Sequence, residues 1–189
     1  MNLPQGSRNI GSPAVYAQGA LPSTRRCDMR RIVGVMGSGR PLLPAAAATA
    51  RRLGSLIAAE EWVLLTGGRA SGVMDACSRG AKDAGGLVVG ILPDTDTARA
   101  SSAIDIAIRT GMGDARNVVN VLSSNVVIAL PGGAGTLSEV ALALSAGKPV
   151  IALGWDPGAA LRGAGRIIDA ETPEAAVASA KELFARGSV

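Results

Sequence analysis

The chain has 189 residues, 48% of them apolar, with 25 glycines, a net charge of +4 and no histidine. That length and apolar content suit one domain with a sizeable core. The missing histidine excludes a Ser-His-Asp arrangement, a Cys-His pair and any imidazole metal site, so no metal is expected and acid–base work falls to carboxylates.

Residues 1–28 hold Pro4, Gly6, Gly11, Pro13, Gly19 and Pro22 without sustained periodicity and are read as a flexible leader. They lack the continuous apolar stretch of a secretory signal. Met29 directly precedes the first strand, which leaves a second reading in which the chain starts there. The positive excess gathers at Arg8, Arg25, Arg26, Arg30 and Arg31 without interleaved aromatics, so no nucleic-acid partner is expected. Cys27 and Cys77 lie too far apart in sequence for a CxxC site and suggest no disulfide framework; a cytoplasmic location follows as the expectation.

A single domain is expected over residues 29–189. Its elements are a strand Ile32–Met36, an Ala-rich helix Pro44–Glu60, a strand Trp62–Leu65, a helix Val73–Ala84 ended by Gly85-Gly86, and a strand Leu87–Leu92 stopped by Pro93. A polar loop Asp94–Ser102, a short strand Ile104–Ile108 and a helix Gly113–Ser123 follow. Val126–Leu130 is apolar and largely β-branched, as a strand buried on both faces requires. Next come the turn PGGAGT, a helix Leu137–Ala146, a strand Val150–Leu153, a Gly-rich connection 155–165, a short edge strand at Ile167-Ile168 and a closing helix Pro173–Arg186. No stretch is apolar for long enough to span a membrane, so no membrane partner is expected. Strands alternating with helices at this spacing predict an α/β, Rossmann-like doubly wound parallel sheet with helices on both faces.

In such a sheet the turns after the strands open onto one edge, where ligands bind. Gly37, Ser38 and Gly39 follow the first strand, Gly67 and Gly68 the second, and Gly132, Gly133, Ala134, Gly135 and Thr136 the central one. A glycine-rich turn leading into a helix presents free N–H groups and a positive dipole end to an anion, so a small phosphorylated ligand is the expected partner. Arg116 near one helix start and Glu139 in the first turn of another reach the same edge. Each also has a plainer reading, as a solvated cation and as a first-turn carboxylate complementing the helix dipole. Arg69 and Asp75 either touch ligand or pair on the surface. Ser38 is no nucleophile elbow, since the GxSxG turn and a histidine base are both missing.

PGGAGTLSE resembles the PGGxGTxxE signature of the LOG and "lysine decarboxylase-like" family. GGRASGVMDA is similar to its GGGxxGLMG segment, keeping Gly67, Gly68, Gly72 and Met74 but carrying Arg69 for the third glycine and Asp75 for the last. Arg116 stands at the arginine of the family's Arg-Lys motif, with Asn117 in place of the lysine; Ser138 replaces the first glutamate of GTxEE. The ARN form and GTLSEVALALSAGKPVIALG look most like the branch that includes molybdenum cofactor carrier proteins. The resemblance implies hydrolysis of a nucleoside 5′-monophosphate to release a base, as in cytokinin activation. Gly133, Gly135 and Thr136 would hold the phosphate, Glu139 would stabilise an oxocarbenium-like transition state, and Arg116 would position Glu139 or substrate. Hydrolysis is the leading expectation; the alternatives are a carrier holding the phosphate of a pterin cofactor, or a nucleotide-sensing module without chemistry. No separate cofactor is expected, and the family pattern implies a homodimer or higher homo-oligomer.

Overall fold

The computed structural model describes residues 29–187; the expected leader, with Cys27, lies outside them. Seven parallel strands form one sheet: β1 (Ile32–Met36), β2 (Val63–Thr66), β3 (Leu87–Leu92), β4 (Ile106–Arg109), β5 (Val126–Ala129), β6 (Val150–Leu153) and β7 (Ile167–Ala170). Their order, β4-β3-β2-β1-β5-β6-β7, means that the chain builds outward from β1 in one direction, then returns to its other side for β5. The expected Rossmann-like architecture is therefore present, and its topological switch lies between β1 and β5, whose residues Val33 and Val126 begin the paired register.

Helices α1 (Pro44–Ala59), α2 (Gly72–Asp83) and α6 (Pro173–Ala185) cover one face of the sheet. Helices α3 (Asn117–Ser123) and α4 (Ala134–Ser145) cover the other, joined by the single turn α5 (Ala159–Arg162). Alternation along β5 divides its side chains between the two layers: Val126 and Ile128 join the first core, Val127 and Ala129 the second. All four are fully buried, and burying a valine or isoleucine completely is worth about 1.5–3 kcal/mol. A Cβ on Gly54 of α1 would strike the Cys77 carbonyl of α2, and one on Gly80 the Arg51 carbonyl of α1. The two helices thus pack backbone to backbone, an approach that only glycine permits.

Several boundaries differ from expectation for local reasons. Helix α4 begins at Ala134 rather than Leu137, because Gly133 takes the extended cap conformation and its carbonyl accepts the Leu137 N–H at 3.0 Å. The stretch 113–123 splits into a 3-10 turn, Gly113–Arg116, and α3. Strand β4 starts at Ile106, since the Asp105 carboxylate accepts the Val88 N–H at 2.9 Å and holds the preceding residues in a turn. The Gly-rich connection contains α5, which sequence patterning does not reveal; Asp156 anchors it by accepting from Gly158 N at 3.0 Å and Arg162 Nε at 2.8 Å. At the sheet's β4 edge all four strand residues are exposed, Ile106 and Ile108 among them. Among the described residues no helix is long and apolar enough to cross a membrane.

Candidate functional site

The turns after β1 and β5 meet at the switch point. Ser38 N donates to Pro131 O at 3.1 Å, joining them directly. A Cβ on Gly132 would land on the Thr136 hydroxyl, so the loop can fold back on its own helix only with glycine there. Gly133 and Gly135, by contrast, face open space. The N–H groups of Ala134, Gly135 and Thr136 open α4 and have no carbonyl one turn behind them. Together with the helix dipole they form a cradle for an anion.

Beside this cradle, Arg116 and Glu139 are 8% and 7% exposed, and their facing atoms Nη1 and Oε1 lie 3.3 Å apart. Glu139 Oε1 also accepts from Asn120 Nδ2 at 2.8 Å, while Oε2 accepts no hydrogen bond from the described residues. Arg116 Nη1 donates in addition to Asn117 Oδ1 at 2.6 Å. The Asn117 amide in turn donates to Ser138 Oγ at 2.9 Å, fastening α3 to α4. Burial pushes the Glu139 carboxyl above its ordinary range, opposed by the Asn120 hydrogen bond and the Arg116 charge. Burial likewise lowers the Arg116 guanidinium, opposed by Glu139. Arg116 Nε and Asn120 Oδ1 are buried without a partner among the described residues. Gly67 makes room for this arrangement: a Cβ there would collide with the Arg116 guanidinium and the Met74 sulfur.

Of the glycine-turn residues and the Arg116–Glu139 pair expected from the sequence, all but Gly68 line a single cavity of about 530 Å³: Arg116 and Glu139, Gly37, Ser38 and Gly39, Gly67, and the run 132–136. Gly68 sits behind it with a left-handed φ of 77°; its N–H donates to Thr66 Oγ1 at 3.1 Å and its carbonyl accepts from Ser101 N at 2.9 Å. It shapes the turn. Arg69 pairs with Asp94 at 3.2 Å, and Asp75 with Arg79 at 2.8 Å and Ser101 Oγ at 2.6 Å, so both are engaged in surface pairs. Glu139 lies in the second turn of α4, not the first, so the dipole-complement reading loses its geometric basis.

Sequence reasoning missed four polar groups here. Arg40 and Asp114 line the same cavity, as does Asn117, and Asn120 backs Glu139. The signal for the asparagines was legible: Arg116, Asn117 and Asn120 fall at i, i+1 and i+4 amid Val118, Val119 and Val121, a polar stripe on an otherwise apolar helix. The arrangement can bind a phosphate on backbone amides and present one free carboxylate oxygen to whatever the phosphate carries.

The model of the SLOG cluster4 family matches residues 30–182. The molybdenum cofactor binding protein from the phototrophic bacterium Rippkaea orientalis is 48% identical, with 83% of this chain and 99% of that one aligned at a TM-score of 0.78. The molybdenum cofactor carrier protein from Chlamydomonas reinhardtii is 46% identical over 83% of this chain and 99% of that one, at a TM-score of 0.77. A cytokinin riboside 5′-monophosphate phosphoribohydrolase from Mycobacterium marinum is 32% identical over 114 residues, 59% of this chain and 60% of that protein.

Proposed function

The chain belongs to the SLOG cluster4 family of the LOG-like superfamily, and from that membership we propose that it binds the molybdenum cofactor by its phosphate and carries it without chemistry. The observation that carries this reading is the cavity at the β1/β5 switch, where an amide cradle adjoins the buried Arg116–Glu139 ion pair. Likeness to cofactor-binding and carrier proteins over 99% of their length supports it. So do Asn117 and Ser138, which replace the charged lysine and glutamate of the hydrolase pattern with a neutral hydrogen-bonded pair at 2.9 Å.

Hydrolysis of a nucleoside 5′-monophosphate is the second reading, favoured by one specific observation: Glu139 keeps Oε2 free at the cavity. In that mechanism the phosphate rests on residues 132–136 and the carboxylate stabilises positive charge developing at the ribose as the base leaves. Arg116 holds the carboxylate through its other oxygen.

Calorimetry with isolated molybdenum cofactor, AMP and ribose 5-phosphate, beside chromatography of adenine released from AMP, tests the two. The carrier reading expects binding and no base release above the uncatalysed rate. Release of base across monophosphates would replace it with the hydrolase, and absence of binding to every phosphate would remove the premise that both share.

A homodimer belongs to the same proposal. Val118 and Leu122 of α3 and Leu137 of α4 are exposed apolar side chains on one helical layer, with Ile106 and Ile108 exposed on the sheet face that this layer covers elsewhere. A second copy would bury them. Light scattering at tens of micromolar reads the mass, and a monomer would overturn the dimer.

A further inference from the structure

Among the described residues four charged side chains line the cavity, and they fall into two kinds. Arg116 and Glu139 are buried and bound to one another. Arg40 and Asp114 are exposed, and neither side chain makes an ion pair or a side-chain hydrogen bond to the described residues. Arg40 follows the β1 turn, where a cation suits the phosphate already assigned to the neighbouring amides. Asp114 stands near enough to Arg116 to favour its charge, but a phosphate repels it and its own oxygens accept from nothing among the described residues.

Asp114 is also held in place. Thr110 N donates to Leu92 O at 3.1 Å, Gly111 N to Asp94 O at 3.2 Å and Gly113 N to Pro93 O at 3.0 Å, so the segment leading to it is pinned to the end of β3. Gly111 and Gly113 take left-handed φ values of 64° and 56°, which turn the chain back toward the cavity. A carboxylate on a pinned backbone, with its lone pairs free, is an acceptor for donors that enter the cavity.

We propose that Asp114 selects the heterocycle of the ligand by accepting two adjacent N–H donors, the ring N–H and exocyclic amine of a 2-amino-4-oxopyrimidine edge. Guanine and pterins carry that edge. Adenine does not: its amine stands beside a ring nitrogen that is itself an acceptor. Hypoxanthine has the ring N–H alone. The ligand class is thus a phosphorylated 2-amino-4-oxo heterocycle, phosphate on residues 132–136 and donor edge on Asp114. This inference rests on the binding reading above, whose phosphate half it uses.

The test is calorimetric affinity for 5′-GMP, IMP, AMP, a pterin monophosphate and ribose 5-phosphate, in wild type and Asp114→Asn. Binding of ribose 5-phosphate reports the phosphate cradle alone. The wild type is expected to prefer GMP and the pterin over AMP by about tenfold or more, with IMP between, since unmatched polar edges are what such sites reject. Asp114→Asn removes a negative charge and so alters every phosphate affinity, but only the ratio GMP to AMP bears on selection; it is expected to fall to about unity, because the carboxamide keeps one acceptor and gains a donor. An unchanged ratio would mean that Asp114 only balances charge and would overturn the proposal, as would a wild type that binds ribose 5-phosphate yet does not discriminate. Failure to bind ribose 5-phosphate would instead bring down the phosphate reading, and this proposal with it.

Discussion

Asn120 donates its amide to Glu139 Oε1 at 2.8 Å, the same oxygen that Arg116 approaches at 3.3 Å. Two donors on one oxygen fix the carboxylate's rotation and leave Oε2 as the one turned to the cavity. Asn120 is thus a positioning residue, seated where α3 crosses α4 and fully buried. Asn120→Leu is expected to lower stability by about 1–3 kcal/mol in urea denaturation, the cost of a buried carboxylate losing a hydrogen bond. Asn120→Asp would set a second carboxylate against the first and is expected to be the worse of the two at neutral pH while recovering in acid. Equal loss at both pH values would contradict the contact.

Glu139 carries a pH signature of its own. Its carboxyl is raised above the ordinary 4.5 by burial, so between that value and the raised one the folded protein holds a proton that the unfolded chain has released. The stabilisation is fully present below 4.5 and is lost as pH rises through the folded value. Asp75 and Asp105 run the other way: against a partial desolvation that would raise them, hydrogen bonds from Arg79 and Lys82 lower them, and their contribution is lost in acid. The stability of wild type minus that of Glu139→Gln isolates the first effect. That difference is expected to decline from pH 4 to neutrality by about 1 kcal/mol for each unit by which the carboxyl is raised. A flat difference would place the carboxyl at its ordinary value.

The loop glycines separate folding from binding. Gly133 and Gly135 face open space, so an added methyl strains nothing; Gly135 lies inside α4, where alanine stabilises a helix by up to about 1 kcal/mol. Gly135→Ala is therefore expected to raise the melting temperature and yet weaken ribose 5-phosphate binding about tenfold or more, because the methyl occupies the anion's approach. Gly132→Ala meets Thr136 and is expected to cost about 1–3 kcal/mol of stability. Scanning calorimetry and titration of both variants check this; a Gly135→Ala variant that bound phosphate normally would move the ligand off this turn.

Much of this arrangement was legible in the sequence, and what was not has identifiable causes. The apolar β-branched runs of β1, β3, β5 and β6 carry their own strand signal, because strands buried on both faces need no alternation. The convergence of Gly37, Gly67, Gly132 and Arg116 followed from parallel topology alone. The start of α4 did not, since glycines written as a loop can also open a helix when the preceding residue caps it. Gly68 looked like a binding glycine because nothing local distinguishes a turn that faces ligand from one that faces Leu92. Asp114 was hidden because its place at the cavity depends on the fold around it, whereas Asn120 shows in the sequence as part of a polar stripe but its pairing with Glu139 does not.

Asn117 and Ser138 differ from the hydrolase pattern at two places far apart in sequence and touch at 2.9 Å. Changing one alone should therefore cost more than changing both. Asn117→Lys sets an ammonium against Arg116 in a nearly buried position and is expected to be destabilising; Ser138→Glu, added to it, supplies the missing countercharge. A double-mutant cycle by urea denaturation is expected to return a coupling of about 0.5–3 kcal/mol in favour of the pair. Additive losses would mean that the two positions are not energetically coupled.

The bond from Ser38 N–H to Pro131 O joins the two loops above the seam between the halves of the sheet, just past the last ladder bond, Leu130 N–H to Met36 O at 2.8 Å. Its proton trades with solvent only when the loops on either side of that seam part, so this one amide works as a gauge of how often the crevice opens. Deuterium uptake at Ser38, slowed by any molecule that bridges the seam and indifferent to one bound elsewhere, therefore gives an assay of occupancy that requires neither turnover nor a label on the ligand.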